Sequence, residues 1–250
     1  MKNFWKKQIA VAALGFTTSL IATSSAQAEN YLTHANYAEK LITFVQAANN
    51  VYDSNPTIVT WAGVNGATIY QNRSTCSPFV TRTIKTAYSI SDTTYKNWFG
   101  SSSPSSSEYH DAILAQNHFL RVSTPEGIQR GDLISVKYLP CANKDSTGHM
   151  MIAMSSAVKR SVDTAPIIAG TEQYEITIAD SSSSSHQASD ANGKTYTDTR
   201  GEGSGAGMGT LRLYKDKQTG QIAGYTWTVS SSSVFYATDS CRVIAVGRLQ

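Results

Sequence analysis

The chain has 250 residues, about 40% of them hydrophobic and only 16% charged, which excludes a highly charged disordered polymer and allows a sizeable core in one domain. Its formal charge of +3 comes from 21 Lys and Arg against 18 Asp and Glu. Lys2, Lys6 and Lys7 precede the first acidic residue, Glu29, so the remainder of the chain is neutral and lacks the basic footprint of a nucleic-acid-binding protein.

In chain order, MKNFWKKQ is a positive segment, IAVAALGFTTSLIA is apolar but too short to span a bilayer comfortably, and Ala26-Gln27-Ala28 is an A-x-A-like site. Residues 1–28 therefore read as a secretory signal cleaved after Ala28. Residues 29–250 are then expected as one exported domain, periplasmic or extracellular, with no stable membrane insertion after cleavage. Residues 31–49 place Tyr37, Leu41, Phe44, Val45 and Ala48 at helical spacing, within an N-terminal helical region over 29–55. Residues 56–75 read as irregular lead-in structure. Cys76 opens a second helix with Thr75 or Ser74 as its cap, Pro78 in its first turn, and Phe79, Val80, Ile84 and Ala87 as its apolar stripe. A polar loop over 101–107 precedes a helical pattern over 108–119, so the Cys76 helix and a helical insertion share 76–120.

From residue 128 to 250 the pattern becomes that of strands. They fall in IQRGDLISVKYL, GHMMIAMSS, YEITIAD, a hairpin around Asp216–Gly220, and CRVIAVGRL. Helices followed by an antiparallel sheet of about six strands define an α+β fold. The Gly-rich run 201–209 lacks the strand-turn-helix context of a phosphate loop and reads as a mobile loop rimming a cleft, with residues 180–209 shaping a substrate groove. His110 and His118 lack two further zinc ligands, and Asp190-Ala-Asn-Gly is only a fragment of a calcium loop, so neither a metal nor another cofactor is expected. Trp61, Trp98 and Trp227 suit a core or a glycan-facing surface equally.

Three residues carry nucleophilic chemistry in a sensible order. Cys76 stands at a helix start, where backbone N–H groups and the helix dipole favour a thiolate and cradle an oxyanion. His149 follows Gly148 at the start of an apolar strand, and Asp180 ends the next strand. Thiol, imidazole and orienting acid are the parts of a nucleophile, base and orienter array.

TCSPFV (75–80), GDLISV (131–136), GHMMIAM (148–154) and ITIAD (176–180) resemble, in order and over roughly residues 60–250, the motifs of NlpC-type and CHAP-type cell-wall peptidases, which are papain-like cysteine hydrolases. The resemblance implies a papain-like domain with Cys76 as nucleophile, His149 as general base and acid, and Asp180 as the orienting residue, with His186 as its substitute. An upstream Tyr assists the oxyanion in several relatives, which points here to Tyr70 or, failing that, Gln71. Thr75, Pro78 and a long stretch between Cys76 and His149 depart from the usual pattern. The implied reaction is hydrolysis of amide bonds in peptidoglycan stem peptides through a thioester. A thioester-based transferase and a non-catalytic envelope-binding module are the alternatives. The implied partner is peptidoglycan or a peptide, and an inhibitor or immunity protein is left open. With Cys76 as the free nucleophile, Cys141 and Cys241 are expected to form a disulfide; a disulfide through Cys76 would defeat this reading.

Overall fold

A computed structural model describes residues 25–250, and side chains from residue 34 onward. The export segment expected over 1–28 lies outside the described residues, apart from the backbone of 25–28. The elements run α1 (Ser25–Phe44), β1 (Asn50–Val51), β2 (Ile58–Thr60), β3 (Gln71–Arg73), α2 (Cys76–Tyr88), α3 (Asp92–Phe99) and α4 (Ser106–Leu114). They continue with β4 (Phe119–Val122), β5 (Leu133–Tyr138), β6 (Gly148–Ala153), β7 (Val158–Lys159), β8 (Thr171–Ser182), β9 (Ala188–Ser189) and β10 (Thr195–Tyr196). The last are β11 (Gly205–Asp216), β12 (Ile222–Thr226), β13 (Tyr236–Ala237) and β14 (Arg242–Leu249). The fold is α+β. No helix among the described residues is long and apolar enough to cross a membrane.

The main sheet has nine strands rather than about six, ordered β13-β12-β11-β8-β6-β5-β14-β4, with β7 also paired to β8. All its pairings are antiparallel. The three additions, β4, β7 and β13, span two to four residues, too short for a period of two to stand out. Its two ends approach one another: Ile222 N–H at β12 donates to Ser123 O after β4, and β12 and β13 come back against β14.

Other expectations shift for local reasons. Helix α1 ends at Phe44 and a 3-10 turn over Ala47–Asn49 follows, because Asn50 is committed to the sheet: it donates to Ala206 O and accepts from Ala206 N–H. The lead-in segment 56–75 contains β2 and β3. Helix α3 was not expected; Ser91 caps it by accepting from Thr94 N–H, and Gly100 ends it with a left-handed φ of 73°. The pattern over 108–119 is divided, because Gln116 and His118 are left-handed and Phe119 starts β4. Helix α4 instead begins inside the serine run, where Ser105 and Glu108 form a capping box.

Two apolar layers sandwich the sheet. On one face Leu41, Phe79, Ile84 and Ile113 from the helices meet Leu133, Met150 and Ile152. On the other, Ile134, Val136, Met151, Ile176, Leu211 and Tyr225 pack together. Successive β6 residues are therefore buried on opposite faces, which accounts for its continuous apolar run.

Candidate active site

Helix α2 starts at Cys76 because Thr75 adopts an extended N-cap conformation and its carbonyl accepts from Phe79 N–H. Contrary to expectation, neither Thr75 nor Ser74 caps the helix through its side chain: Thr75 makes no cap bond, and Ser74 Oγ donates to Asn72 Oδ1. Ser74 serves as a latch instead. Ser181 Oγ donates to Ser74 O at 2.7 Å, and Asn72 Nδ2 reaches Ser181 Oγ at 3.3 Å. The residues just before Cys76 are thus tied to the residue just after Asp180.

Cys76 is 6% exposed and is not disulfide-bonded. Its Sγ lies 3.7 Å from Ser106 Oγ at the start of α4 and 4.0 Å from Gly148 O. Burial alone raises its thiol pKa. The charge and hydrogen bond of His149 outweigh burial, helped by Met150 N–H and Ser106, and hold the thiol below its ordinary value. Burial likewise lowers the His149 imidazole, but the Cys76 thiolate and the Asp180 carboxylate raise it to about 10. Both shifts favour a thiolate and imidazolium pair. His149 Nε2 donates to Asp180 Oδ2 at 2.6 Å, leaving Nδ1 for the sulfur.

Gly148 gives His149 its place. Its φ is 143°, and a Cβ there would lie 1.9 Å from Val136 O, so the start of β6 lies directly on β5. β6 and β8 pair over Ile152–Ala153 and Ile178–Ala179, and beyond that the side chains of His149 and Asp180 join them.

Asp180 is fully buried and carries three charge-assisted bonds. Besides His149, His186 Nε2 lies 3.0 Å from Oδ2 and Arg200 Nη2 donates to Oδ1 at 2.5 Å. Arg200 Nε in turn donates to Asp198 Oδ1, and Asp198 Oδ2 accepts from His186 N–H. Burial alone would raise Asp180; the charges of His186 and Arg200 and the two histidine hydrogen bonds hold it well below the usual carboxylate range.

The Gly-rich run expected as one loop is divided: 201–204 form a turn and loop, whereas residues 205–209 belong to β11 and pair in register with β8, Gly207 lying opposite Asp180. A Cβ on Gly207 would come 2.4 Å from Arg200 Nε, and one on Gly209 2.6 Å from Asp198 Oδ2 and from His186 Cβ. The glycines leave the sheet face bare so that the supporting ionic network can lie on it. Residues 180–209 thus hold the acid of the site.

Tyr70 packs on Phe44, with ring centroids 5.3 Å apart, and Gln71 pairs with Thr60 in the small sheet. Tyr52, after β1, is electrostatically coupled to this site: burial, then Cys76 and Asp180, raise it to about 12. It stays protonated and able to donate. Nothing in the N-V-Y-D segment singles Tyr52 out in sequence, and Ser106 is hidden within a serine run. Trp61 is a core residue with Nε1 donating to Tyr37 O, and Trp98 stacks on His118 at 4.4 Å. Trp227 stands edge-on to His149 at 5.4 Å.

His149, Asp180 and His186 bring ligand-type atoms within 4.8 Å of one another. The two histidine contacts to Asp180 are hydrogen bonds, however, and Arg200 sets a positive charge where a cation would need the carboxylate. The arrangement suits proton transfer better than metal binding. Outside the site, Cys141 and Cys241 form a disulfide with a Cα–Cα distance of 5.4 Å.

No family model matches the chain, and no solved structure matches it. It is similar to the uncharacterized protein R653 of Acanthamoeba polyphaga mimivirus, 28% identical over 196 residues, which cover 76% of this chain and 84% of the relative.

Proposed function

We propose that this chain is an exported cysteine hydrolase of papain-like architecture, related in kind to the NlpC-type and CHAP-type peptidases, that cleaves amide bonds in peptidoglycan stem peptides. The observation that carries the reading is the unbroken chain from a buried, free Cys76 at a helix start through His149 to a fully buried Asp180. A domain running from residue 29 to 250, with helices against one face of a curled antiparallel sheet, agrees with it, and the disulfide suits an oxidising compartment.

In the proposed reaction the Cys76 thiolate attacks the amide carbonyl carbon. The developing oxyanion meets Cys76 N–H, free at the helix N-terminus, and the Tyr52 hydroxyl. His149 Nδ1–H protonates the leaving amine and the C–N bond breaks, giving a thioester. His149, now neutral, takes a proton from water, whose oxygen displaces Cys76 and releases the acid. Asp180 keeps the ring oriented and stabilises its charged form throughout.

The test is digestion of purified peptidoglycan by the mature, unreduced chain, with mass spectrometry of the muropeptides. New amine and carboxyl ends that disappear with Cys76→Ser support the proposal. Unchanged muropeptides overturn the substrate, and absence of iodoacetamide labelling at Cys76 overturns the chemistry.

A further inference from the structure

A row of side chains beside the proposed catalytic groups is not used by that chemistry. Val136 lies opposite His149, Tyr138 is two residues further along β5, and Arg242 of β14 lies opposite Tyr138. Because side chains alternate along a strand, His149, Tyr138 and Arg242 project from one face. The Arg242 guanidinium sits 4.9 Å from the Tyr138 ring centre and 4.6 Å from that of Tyr236, and Nη1 donates to Tyr236 Oη at 2.9 Å. Among the described residues no carboxylate pairs with Arg242; the same holds for the exposed Arg82 and Arg121 and for buried Arg212, which donates to hydroxyl and carbonyl oxygens.

The wall between Arg242 and His149 is aromatic. Tyr236 packs on Tyr225 at 5.4 Å, Tyr225 on Trp227 at 5.0 Å, and Trp227 on His149. Tyr225 is fully buried, yet its hydroxyl has no hydrogen-bond partner among the described residues, a cost of about 1–3 kcal/mol unless a ligand supplies one. The Cys141–Cys241 disulfide holds the backbone next to Arg242. A guanidinium framed by two aromatic rings is planar, weakly hydrated and suited to bidentate binding of a carboxylate.

We infer that Arg242, with Tyr138, Tyr225 and Tyr236, forms a subsite for a carboxylate carried by the amide substrate near the bond that is cleaved. The inference rests on the cysteine-hydrolase reading and narrows its substrate to an acidic peptide, whether the carboxylate is a chain terminus or a side chain.

Two reagents that differ in one carboxylate test it on the mature, unreduced chain. Iodoacetate and iodoacetamide both alkylate Cys76, and the ratio of their second-order rate constants reports carboxylate recognition. Arg242→Gln is expected to lower the iodoacetate to iodoacetamide ratio about tenfold, with the iodoacetamide rate changed less than about twofold. Arg242→Lys is expected to recover part of the loss, since the charge returns without the planar fork. An unchanged ratio, or an equal loss with both reagents, overturns the inference. No alkylation of Cys76 in the unsubstituted chain, or an ordinary thiol pH profile, overturns the hydrolase reading instead. The carboxylate's source is read from protection of Cys76 against iodoacetamide by N-acetyl-Ala-Ala and by N-acetyl-Ala-Glu-amide. Protection by the first places a chain terminus at Arg242, protection by the second an acidic side chain, and protection by neither overturns the inference.

Discussion

His149 and His186 share one oxygen: their Nε2 atoms lie 2.6 and 3.0 Å from Asp180 Oδ2. The two rings have different surroundings. His149 turns its other nitrogen to Cys76, whereas His186 turns Nδ1 to Trp227 O at 2.7 Å, so both nitrogens of His186 face oxygen atoms. In the proposed site His186 is a positioning residue: it contacts the Asp180 carboxylate and helps hold the pKa of that acid down.

Replacing His186 by Gln, which can keep one of its two bonds, is therefore expected to slow Cys76 alkylation at pH 6 and move its titration upward. Asp180→Asn is expected to do so more strongly. It also leaves the buried Arg200 without the charge of the Asp180 carboxylate and should lower unfolding stability by about 3–5 kcal/mol. Denaturant unfolding and the pH dependence of alkylation measure the two effects. A His186→Gln variant with an unaltered alkylation profile would show that the ring only fills space.

The pH dependence of the pair has a definite sign. With the thiol lowered and His149 raised to about 10, iodoacetamide alkylation is expected to be flat across neutral pH and to fall in acid. In His149→Ala the rate should instead rise through the ordinary thiol range near ~8.5. For stability, the folded state holds an extra proton on His149 above ~6.5 and lacks one on Cys76 just below ~8.5, so the two contributions act in opposite directions there. From ~8.5 to about 10 only the His149 contribution remains, and stability falls by about 1–2 kcal/mol as pH rises. Cys76→Ala should remove the flat alkylation profile and alter this alkaline slope.

The glycine strand gives a steric test. Gly207→Ala pushes a methyl group into Arg200 and is expected to cost about 1–3 kcal/mol and to raise the Cys76 titration by disturbing Asp180. The same substitution at Gly203, where a Cβ would come no nearer than 3.1 Å to Arg200 O, should leave the alkylation profile alone. Urea unfolding and alkylation distinguish the two variants.

His34 predicts an acid limit. It is buried, with Nδ1 at Tyr88 Oη and Nε2 at Gly131 O, and burial lowers its pKa to about 4. Between ~6.5 and about 4 the unfolded chain takes up a proton that the folded chain does not, so stability falls as pH falls, by about 3 kcal/mol over that window. His34→Gln should flatten this part of the stability profile, measured by denaturant unfolding from pH 4 to 7.

The disulfide joins residues 100 apart. The Cys141→Ser, Cys241→Ser double variant is expected to lose about 2–5 kcal/mol of unfolding stability, mainly through a less constrained unfolded chain. In the unsubstituted, unreduced chain, peptide mapping after iodoacetamide should find label on Cys76 and none on Cys141 or Cys241.

The parts of the site that were legible in the sequence are those with local causes. A cysteine at a helix start, a histidine after a glycine at a strand start and an acid at a strand end each follow from periodicity and turn chemistry around a single residue. The α+β order and the β11–β12 hairpin were legible for the same reason. Strands of two to four residues and helix α3 escaped because so few residues carry little pattern.

Tyr52 and Ser106 were not legible as site residues, and His186, Asp198 and Arg200 were not legible as the support of Asp180, because what they do depends on where long-range pairing sets them. Gly207 looks like a loop residue until β11 pairs with β8 and lies opposite Asp180. By itself the sequence determined an α+β chain with a reactive-type cysteine and an imidazole and an acid downstream, through spacings of a few residues. Only the tertiary structure decided which groups surround that cysteine, since hydrogen bonds and charge coupling act over a few ångströms between residues up to 156 positions apart in the chain, as Asn50 and Ala206 are.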